Sequence, residues 1–219
     1  MDKIKAAIIY YSSTGANYQL AQWAAEGAGQ AGAETRIRKV AELAPESAIA
    51  TNAAWKKHAD ATRNIETAEL HDLEWADVLI FSAPTRYGNL PAQMKQFLDS
   101  AGSLWISGKL VNKVVTAMSS AQNVHGGQEA TILNLYTTMY HWGAIVVTPG
   151  YTNPVLYTTG GNPYGASVTV DDTGNMKENV KEAVLHQARR AVTVALWIKN
   201  GSTNHEAVGE DQYKELAQV

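Results

Sequence analysis

The sequence predicts an α/β fold in which a doubly wound, five-stranded parallel sheet carries helices on both faces. Short, almost continuously apolar runs alternate along the chain with segments of helical periodicity, which is the pattern of strands covered on both sides. Three of these runs also lead directly into loops rich in polar residues and glycine. Such loops are typical of the carboxyl edge of a parallel sheet, where ligands bind.

Composition excludes several kinds of site before any motif is considered. The 219 residues include no cysteine, which removes disulfides, cysteine nucleophiles and thiolate metal sites, and the 6 histidines show no metal-ligand spacing. We therefore expect no metal. The formal net charge of −3 gives no cationic field that would attract nucleic acid or anionic lipid.

Hydropathy and length predict the location and the domain organisation of the protein. No apolar run near the N-terminus is long enough for a signal peptide or a membrane span, so the sequence predicts a cytoplasmic protein without membrane insertion. A chain of this length favours one large domain. We place it at residues 1–200 and expect a polar C-terminal tail at residues 201–219.

The first unit is a strand, a polar turn and a helix. Residues 4–11 form an apolar run that stops at Ser12, and small or apolar residues then recur at helical spacing between Leu20 and Ala28. Gly32 follows where a C-cap glycine is expected. Residues 35–40 predict a second strand, and their arginines and lysine place it near a sheet edge.

An irregular segment separates the first unit from the rest. Residues 42–75 are polar and rich in alanine, with a short helix predicted over Ala53–Ala61. Trp55 in this helix is interpreted as a core anchor or a subunit contact. Residues 78–83 predict the third strand, and helical spacing resumes from Met94.

The second half repeats the alternation. Residues 114–118 predict the fourth strand, residues 129–142 a helix, and residues 144–148 the last strand. Residues 150–174 hold many glycines and prolines without periodicity, so we expect a packed or functional loop. Asn175, with Glu178 three residues later, predicts the N-cap of the final helix, and Gly201 lies just past its predicted end.

The loop after the first strand is a candidate anion site. It reads Ser-Ser-Thr-Gly-Ala-Asn over residues 12–17 and offers hydroxyls beside a helix N-terminus, which suits a phosphate monoester. The same residues equally suit plain helix capping. Neither the glycine fingerprint of dinucleotide sites nor the P-loop pattern occurs in the sequence, which leaves a monophosphate as the favoured anion.

The loops after the third and fourth strands meet the same sheet edge. Residues 84–89 read Pro-Thr-Arg-Tyr-Gly-Asn and combine a cation, an aromatic face and a glycine, which suits either a planar, electron-poor ring or a surface turn with an ion-paired arginine. Residues 119–127 bear glycines whose neighbouring amides suit the edge of a heteroaromatic ring. The three loops are expected to converge at this edge of the sheet.

Several of these motifs resemble one family. The first loop resembles the phosphate loop of flavodoxins, and the Pro-Thr-Arg-Tyr-Gly-Asn loop resembles that of the WrbA-type NAD(P)H:quinone oxidoreductases. The resemblance continues through Leu-Trp at 104–105, Gly-Gly-Gln-Glu at 126–129, Pro-Gly-Tyr at 149–151 and Gly-Gly-Asn-Pro-Tyr-Gly-Ala at 160–166. It covers residues 4–200.

The resemblance implies a flavodoxin-like strand order of 2-1-3-4-5 and an FMN-dependent enzyme. Such an enzyme takes a hydride from NADH or NADPH and passes two electrons to a quinone, as a homotetramer assembled as a dimer of dimers. Carried over to this sequence, the cofactor-binding residues are Ser12, Ser13, Thr14, Gly15, Ala16 and Asn17 at the phosphate, Pro84, Thr85, Arg86, Tyr87 and Gly88 along the isoalloxazine, and Ser119, Ser120, Gln122, Asn123, Val124, His125, Gly126, Gly127 and His141.

Catalytic roles follow from the same resemblance. Trp105 and His141 are implied to flank the substrate pocket, contributed by neighbouring subunits. Arg86 is expected to stabilise the anionic reduced flavin by a charge-assisted contact. No protein nucleophile is required, because the hydride chemistry belongs to the flavin.

The chain departs from the family pattern at two places. Thr14 stands where the family often has a tyrosine that contacts the nicotinamide nucleotide, and residues 121–125 replace a shorter stretch rich in glycine and threonine. His125 in that stretch is interpreted as an ordinary loop histidine. Two other functions stay open: a one-electron carrier like flavodoxin, which the weak net charge disfavours, and a non-catalytic binding protein that has lost its flavin.

Overall fold

The structure is a computed structural model that describes residues 3–201. Within this range the strands are β1 (Lys5–Tyr10), β2 (Glu34–Lys39), β3 (Val78–Pro84), β4 (Val114–Ala121), β5 (Ile145–Val146) and β6 (Ser167–Thr169). The helices are α1 (Ala16–Gln30), α2 (Glu46–Ile49), α3 (Ala53–Ala61), α4 (Leu70–Trp75), α5 (Ala92–Asp99), α6 (Gly102–Ile106), α7 (Gln128–His141), α8 (Val155–Thr158) and α9 (Lys181–Gly201).

The sheet is parallel and has the order β2-β1-β3-β4-β5, which confirms the predicted doubly wound fold. The apolar β1 lies between β2 and β3, whereas the charged β2 occupies an edge, as its sequence predicts. In this order the chain first moves from β1 to β2 on one side, and then places β3, β4 and β5 on the other side of β1. The direction of the connections therefore reverses between β1 and β3. The carboxyl ends of these two strands therefore open onto the topological switch point, where ligands bind in such sheets.

The fifth position of the sheet is divided between two short strands. β5 pairs with β4 only at Ile145 and Val146, and not over the whole of the predicted 144–148. Beyond it, β6 pairs with the far end of β4 over Ser119, Ser120 and Ala121. The prediction of five strands missed β6, because three residues inside a segment rich in glycine and proline give no periodicity to detect.

Strand β4 is longer than predicted and runs to Ala121. Ser119 and Ser120, expected in the loop, are buried within the strand and pair with β6 on one side and β3 on the other. Because side chains alternate along a strand, these two serines face opposite sides of the sheet. Only Ser120 therefore faces the loop that follows β1.

Two apolar layers cover the two faces of the sheet. Alternate residues of β1 divide between them, so that Ile8 packs with α1 and α9 while Ile9 packs on the other face. The second face is covered by side chains of α4, α5 and α7, including Met94 and Tyr136. Each face of the central strands is thus shielded from water, which is why their sequences are almost continuously apolar.

Helix α1 packs closely on α9. A β-carbon at Gly27 would lie 2.7 Å from the backbone oxygen of Leu185, so this glycine allows the two helices to approach. The helix ends at Gln30 and is followed by Gly32 at φ +86°, in the left-handed region. The predicted terminating glycine is therefore confirmed.

The final helix begins later than predicted. α9 starts at Lys181, and Asn175 does not cap it, because the Asn175 side chain donates to Asp171 Oδ2 at 2.9 Å. Glu178, expected in the first helical turn, accepts the backbone N–H of Thr169 at 2.7 Å instead. Gly201, predicted just past the helix, is the last described helical residue. The predicted tail at 201–219 is therefore placed one residue too early, and residues 202–219 lie outside the described residues.

Residues 3–201 contain neither a candidate membrane span nor a cluster of metal-ligating side chains. No helix in that part of the chain has the length and the apolar character needed to cross a membrane. No group of three or more histidine, aspartate or glutamate side chains there is placed to hold a metal ion.

Candidate active site

A cleft of about 540 Å³ opens at the carboxyl ends of β1, β3 and β4. Its volume lies within the range of roughly 300–1,000 Å³ that is usual for small-molecule sites. The cleft brings together parts of all three predicted loops and two segments that the sequence did not assign to the site. The lining residues are Ser12, Ser13, Thr14, Ala16, Asn17, Asn52, Trp55, Pro84, Thr85, Arg86, Tyr87, Ser120, Ala121, Gln122, Asn123, Gly126, Val170, Asp171 and Asp172.

The first loop leaves the N-terminus of α1 uncapped. Gly15 is the N-cap residue at φ +105°, and no side chain among the described residues caps the helix by accepting a hydrogen bond from its first turn. The Oγ atom of Ser12 accepts the N–H of Gly15 at 3.0 Å, which braces the turn before the helix begins. Plain helix capping is therefore not what these polar residues do. The amides of the first helical turn have no intrahelical acceptor, which suits an anion.

Asn17 fixes the position of this loop on the sheet. Its side chain is buried; the Nδ2 atom donates to Ser82 Oγ at 3.1 Å and the Oδ1 atom accepts from Ser120 Oγ at 2.6 Å. Ser82 Oγ in turn donates to the backbone oxygen of Asn17 at 3.0 Å. The contacts join α1 to both β3 and β4. Asn17 therefore orients the loop in addition to lining the cleft.

The second loop is a tight two-residue hairpin. Arg86 and Asn89 exchange backbone hydrogen bonds of 2.8 and 3.0 Å, and both central residues have positive φ, +53° at Tyr87 and +78° at Gly88. This is the geometry of a type I′ turn, which a tyrosine adopts only at a conformational cost. The Tyr87 side chain is 103% exposed and lines the cleft.

Side chains of helix α7 hydrogen-bond to this hairpin. Thr131 Oγ1 lies 2.8 Å from Thr85 Oγ1, and Asn134 Nδ2 donates to the backbone oxygen of Gly88 at 3.2 Å. A β-carbon at Gly127 would lie 2.7 Å from the Gly88 Cα atom, so the second and third loops touch. Thr131 and Asn134 were not predicted from the sequence, because no local pattern marks a residue that supports a distant turn.

The third loop contributes to the cleft through only part of its length. Gln122, Asn123 and Gly126 line the cleft together with Ser120. The Ser119 hydroxyl is buried on the other face of β4 and has no hydrogen-bond partner among the described residues. Three further predicted residues, Val124, His125 and Gly127, lie outside the lining, and Val124 is 72% exposed.

Arg86 connects the second loop to the first. Its Nη2 atom donates to Ser13 Oγ at 2.9 Å and its Nη1 atom donates to the backbone oxygen of Thr85 at 3.1 Å. Ser13 Oγ lies 3.4 Å from the Tyr11 hydroxyl, which donates to Glu42 Oε2 at 3.0 Å. Burial raises the pKa of Tyr11 to about 12, so its hydroxyl stays protonated and can act as this donor.

Trp105 and His141 lie together but away from the cleft. The Trp105 indole N–H donates to the backbone oxygen of His141 at 2.9 Å, at the point where α6 meets the end of α7. Neither residue lines the cleft, and Trp105 is 52% exposed. Within one chain the structure therefore does not bring this predicted pair to the other site residues.

Helix α3 brings two unexpected residues to the cleft. Asn52 and Trp55 line it, and no residue of α3 is buried, so Trp55 is not a core anchor. On the same helix, His58 Nδ1 lies 3.5 Å from the position of a β-carbon at Gly15. Burial, with a smaller contribution from Lys39, lowers the pKa of His58 to about 4. This histidine is therefore neutral at neutral pH.

The loop after β6 supplies the acidic part of the lining. Asp171 and Asp172 line the cleft, and a β-carbon at Gly174 would lie 2.5 Å from the backbone oxygen of Thr14. Hydrogen bonds from Thr173 and Asn175 hold the pKa of Asp171 well below its usual range. These carboxylates were missed because the sequence shows only an irregular segment there.

Comparison with known proteins places the chain among flavin enzymes. A family model described as NADPH-dependent FMN reductase matches residues 4–154. The chain is 50% identical over 189 residues to an NAD(P)H dehydrogenase (quinone) of Deinococcus radiodurans, covering 86% of this chain and 94% of that protein. It is 36% identical over 205 residues to a protein of the same name from Aromatoleum aromaticum, covering 90% and 99%.

Solved structures agree with the fold. The chain superposes with a TM-score of 0.60 on a flavodoxin, WrbA-like protein from Agrobacterium tumefaciens, over 90% of this chain and 99% of that one. The identity of 20% makes this a likeness of fold alone.

Proposed function

The chain belongs to the NADPH-dependent FMN reductase family, and on that premise we propose that it is an FMN-dependent NAD(P)H:quinone oxidoreductase. The name of the two similar proteins supports the choice of a quinone as electron acceptor. The observation that carries the proposal in this chain is the uncapped N-terminus of α1, which opens into the same cleft as the Arg86 hairpin.

The residues present fit FMN. The first loop offers the hydroxyls of Ser12, Ser13 and Thr14 beside free helical amides, which suit the phosphate. The second loop offers the exposed ring of Tyr87 and the guanidinium of Arg86, which suit a planar and electron-poor ring system. We propose that these two loops hold the two ends of the cofactor, and that Ser120, Gln122, Asn123 and Gly126 border its remaining edge.

When bound, FMN supplies the chemistry: it accepts a hydride from NAD(P)H and returns two electrons to a quinone. The protein orients and shields it. Asn17 fixes the first loop on the sheet, while Thr131 and Asn134 fix the hairpin, so that the distance between the two loops is set before any ligand binds. Arg86 places a positive charge at the cleft, which favours negative charge developing nearby during reduction.

The substrate side of the site is proposed to form between subunits. Trp105 is exposed and, with His141, lies outside the cleft of its own chain, so a second copy is needed to bring such a pair to the cofactor. We propose the homotetramer, a dimer of dimers, as the active form. We also propose the cytoplasm as its location, because the electron donor NAD(P)H is supplied there. Light scattering on a size-exclusion column tests the tetramer, and a monomer would contradict it.

An anaerobic titration tests the function. Purified apoprotein is titrated with FMN, and then NADH or NADPH and finally benzoquinone are added in the same cuvette. We expect tight FMN binding, bleaching by a nicotinamide nucleotide and recolouring by the quinone. Binding without bleaching would contradict the reductase and favour an electron carrier, and absence of flavin binding would favour a non-catalytic binding protein.

A further inference from the structure

Helix α3 lies across the beginning of α1. His58 approaches Gly15, the N-cap of α1, and its ring centroid is 5.8 Å from that of Tyr18 in the first helical turns. Trp55 is three residues before His58 and so lies on the same side of α3. It lines the cleft together with Asn52, the N-cap of α3. The insertion between β2 and β3 therefore forms one wall of the cleft beside the first loop.

The phosphate end of this cleft contains few positive charges. Residues 12–17 include no cation, and Arg86 is the one cation in the lining among the described residues. Two carboxylates, Asp171 and Asp172, line the same cleft. Arg86, which donates to Ser13 Oγ at 2.9 Å, is the one positive charge that the described lining offers to a phosphate at the first loop. The rest of the stabilisation of a phosphate dianion has to come from neutral N–H and O–H donors, so each additional donor matters.

Two such donors on α3 are available. The indole N–H of Trp55 has no acceptor within the described part of the chain. The Asn52 side chain uses its Oδ1 atom to accept the backbone N–H of Trp55 at 3.0 Å. Its amide nitrogen, which carries two N–H groups, then remains for the cleft.

We propose that Trp55 and Asn52 complete the phosphate subsite by donating the indole N–H and the side-chain amide N–H to the phosphate of FMN. The inference rests on the proposed function, since it takes FMN as the ligand. It assigns a binding role to the insertion, which would otherwise be a surface elaboration of the fold. It also predicts that α3 strengthens flavin binding only when the ligand carries the phosphate group, and that contacts with the flavin ring play no part in this effect.

Riboflavin, which has the ring but no phosphate, separates these contributions. Apoprotein of the wild type and of Trp55→Phe is titrated with FMN and with riboflavin, and binding is followed by quenching of flavin fluorescence. Phenylalanine keeps an aromatic ring and loses the N–H. We expect Trp55→Phe to raise the Kd of FMN by about tenfold or more, as for a lost hydrogen bond to a charged group, and to leave the Kd of riboflavin within about twofold.

Two further variants support the test. Asn52→Asp keeps the oxygen that caps α3 and replaces the amide by a carboxylate, so it should weaken FMN more than riboflavin. Trp197→Phe is the matched control: Trp197 is 64% exposed on α9, next to Ile198, which lines a separate cavity with Ile4 and Val114 at the opposite edge of the sheet. It should change neither Kd.

The other outcomes overturn the inference. Equal weakening of FMN and riboflavin by Trp55→Phe would mean that the indole packs on the ring system, and unchanged affinities would mean that it contacts neither part. Wild-type protein that binds neither flavin would overturn the proposed function and this inference with it. Wild-type protein that binds and reduces FMN, with Trp55→Phe unaffected, would overturn this inference alone.

Discussion

The guanidinium of Arg86 donates a hydrogen bond to Ser13 Oγ at 2.9 Å, which joins the loop after β3 to the loop after β1 across the mouth of the cleft. The two residues are 73 positions apart in the sequence. Through Ser13 the arginine also reaches the Tyr11 hydroxyl, which Glu42 and Gln93 hold from the other side. The cation of the site is therefore positioned by a network that extends beyond the cleft.

Substitution of Arg86 is expected to slow reduction of the bound cofactor. Arg86→Ala removes both the positive charge and the connection to Ser13, so we expect reduction of FMN by NADH to slow by about tenfold or more. Arg86→Lys keeps the positive charge but loses the planar guanidinium with its several donors, so its rate of FMN reduction should lie between those of the wild type and Arg86→Ala. Stopped-flow bleaching of the FMN-loaded protein under anaerobic conditions measures this, and unchanged kinetics in Arg86→Ala would remove the role.

Two glycines of α1 give opposite predictions for stability. Gly27→Ala places a β-carbon 2.7 Å from the backbone oxygen of Leu185 on α9, so the helices have to separate, and we expect a loss of about 1–3 kcal/mol. A β-carbon at Gly29 would have no atom of residues 3–201 within 4 Å, so Gly29→Ala should stabilise the protein by about 0.5–1 kcal/mol. Urea unfolding measures both. Equal effects of the two substitutions would contradict the close packing of α1 on α9.

The central part of the fold is predictable because the burial of its strands requires apolar residues, which are visible in the sequence. β1 and β3 are covered on both faces, so nearly every residue is apolar, and the charged β2 follows from its edge position. The same reasoning fails where the contacts are made by polar side chains far apart in sequence. Asn175 matches the sequence pattern of a helix N-cap, yet its side chain hydrogen-bonds to Asp171, and the helix starts at Lys181.

The site was predictable where a motif is contiguous. The first and second loops are short strings of residues that carry their own turn geometry, and both reach the cleft. Trp55 was not assigned to the site because nothing in residues 42–75 indicates where α3 packs; only the folded chain brings His58 close to Gly15. Ser119 was assigned to the site from the family resemblance, which carries no information on where β4 ends. The strand runs to Ala121, and its alternation turns Ser119 to the other face of the sheet.

Protonation of His58 is expected to destabilise the protein in mild acid. Burial lowers its pKa from an ordinary 6.5 to about 4 in the folded state, so the unfolded chain binds the proton more readily. The stability associated with the neutral ring is complete above about pH 6.5 and is lost as the pH falls towards about 4.

Thermal melting against pH measures the effect of His58. The melting temperature of the wild type should fall between pH 6.5 and pH 4, and that of His58→Gln should fall less over the same interval, because glutamine does not titrate there. The hydrogen bonds that lower the pKa of Asp171 stabilise the folded state, and protonation of its carboxylate removes that contribution only as the pH falls below its ordinary value of 3.8. Parallel curves for the two proteins would contradict a buried, neutral His58.

A mixed assembly tests whether the site is shared between subunits. If Trp105 of one protomer lies at the cleft of another, each site takes Arg86 from one chain and Trp105 from a second chain. Arg86→Ala and Trp105→Ala then remove residues that different chains contribute to the same site. Co-expression of the two variants with different affinity tags, followed by purification on both tags, isolates mixed oligomers. In these, some sites combine the intact Arg86 of one chain with the intact Trp105 of the other. We expect quinone reduction to exceed the mean of the two pure variants. Activity equal to that mean would place both residues at the site of one chain, against the separation of Trp105 from the cleft in the structure.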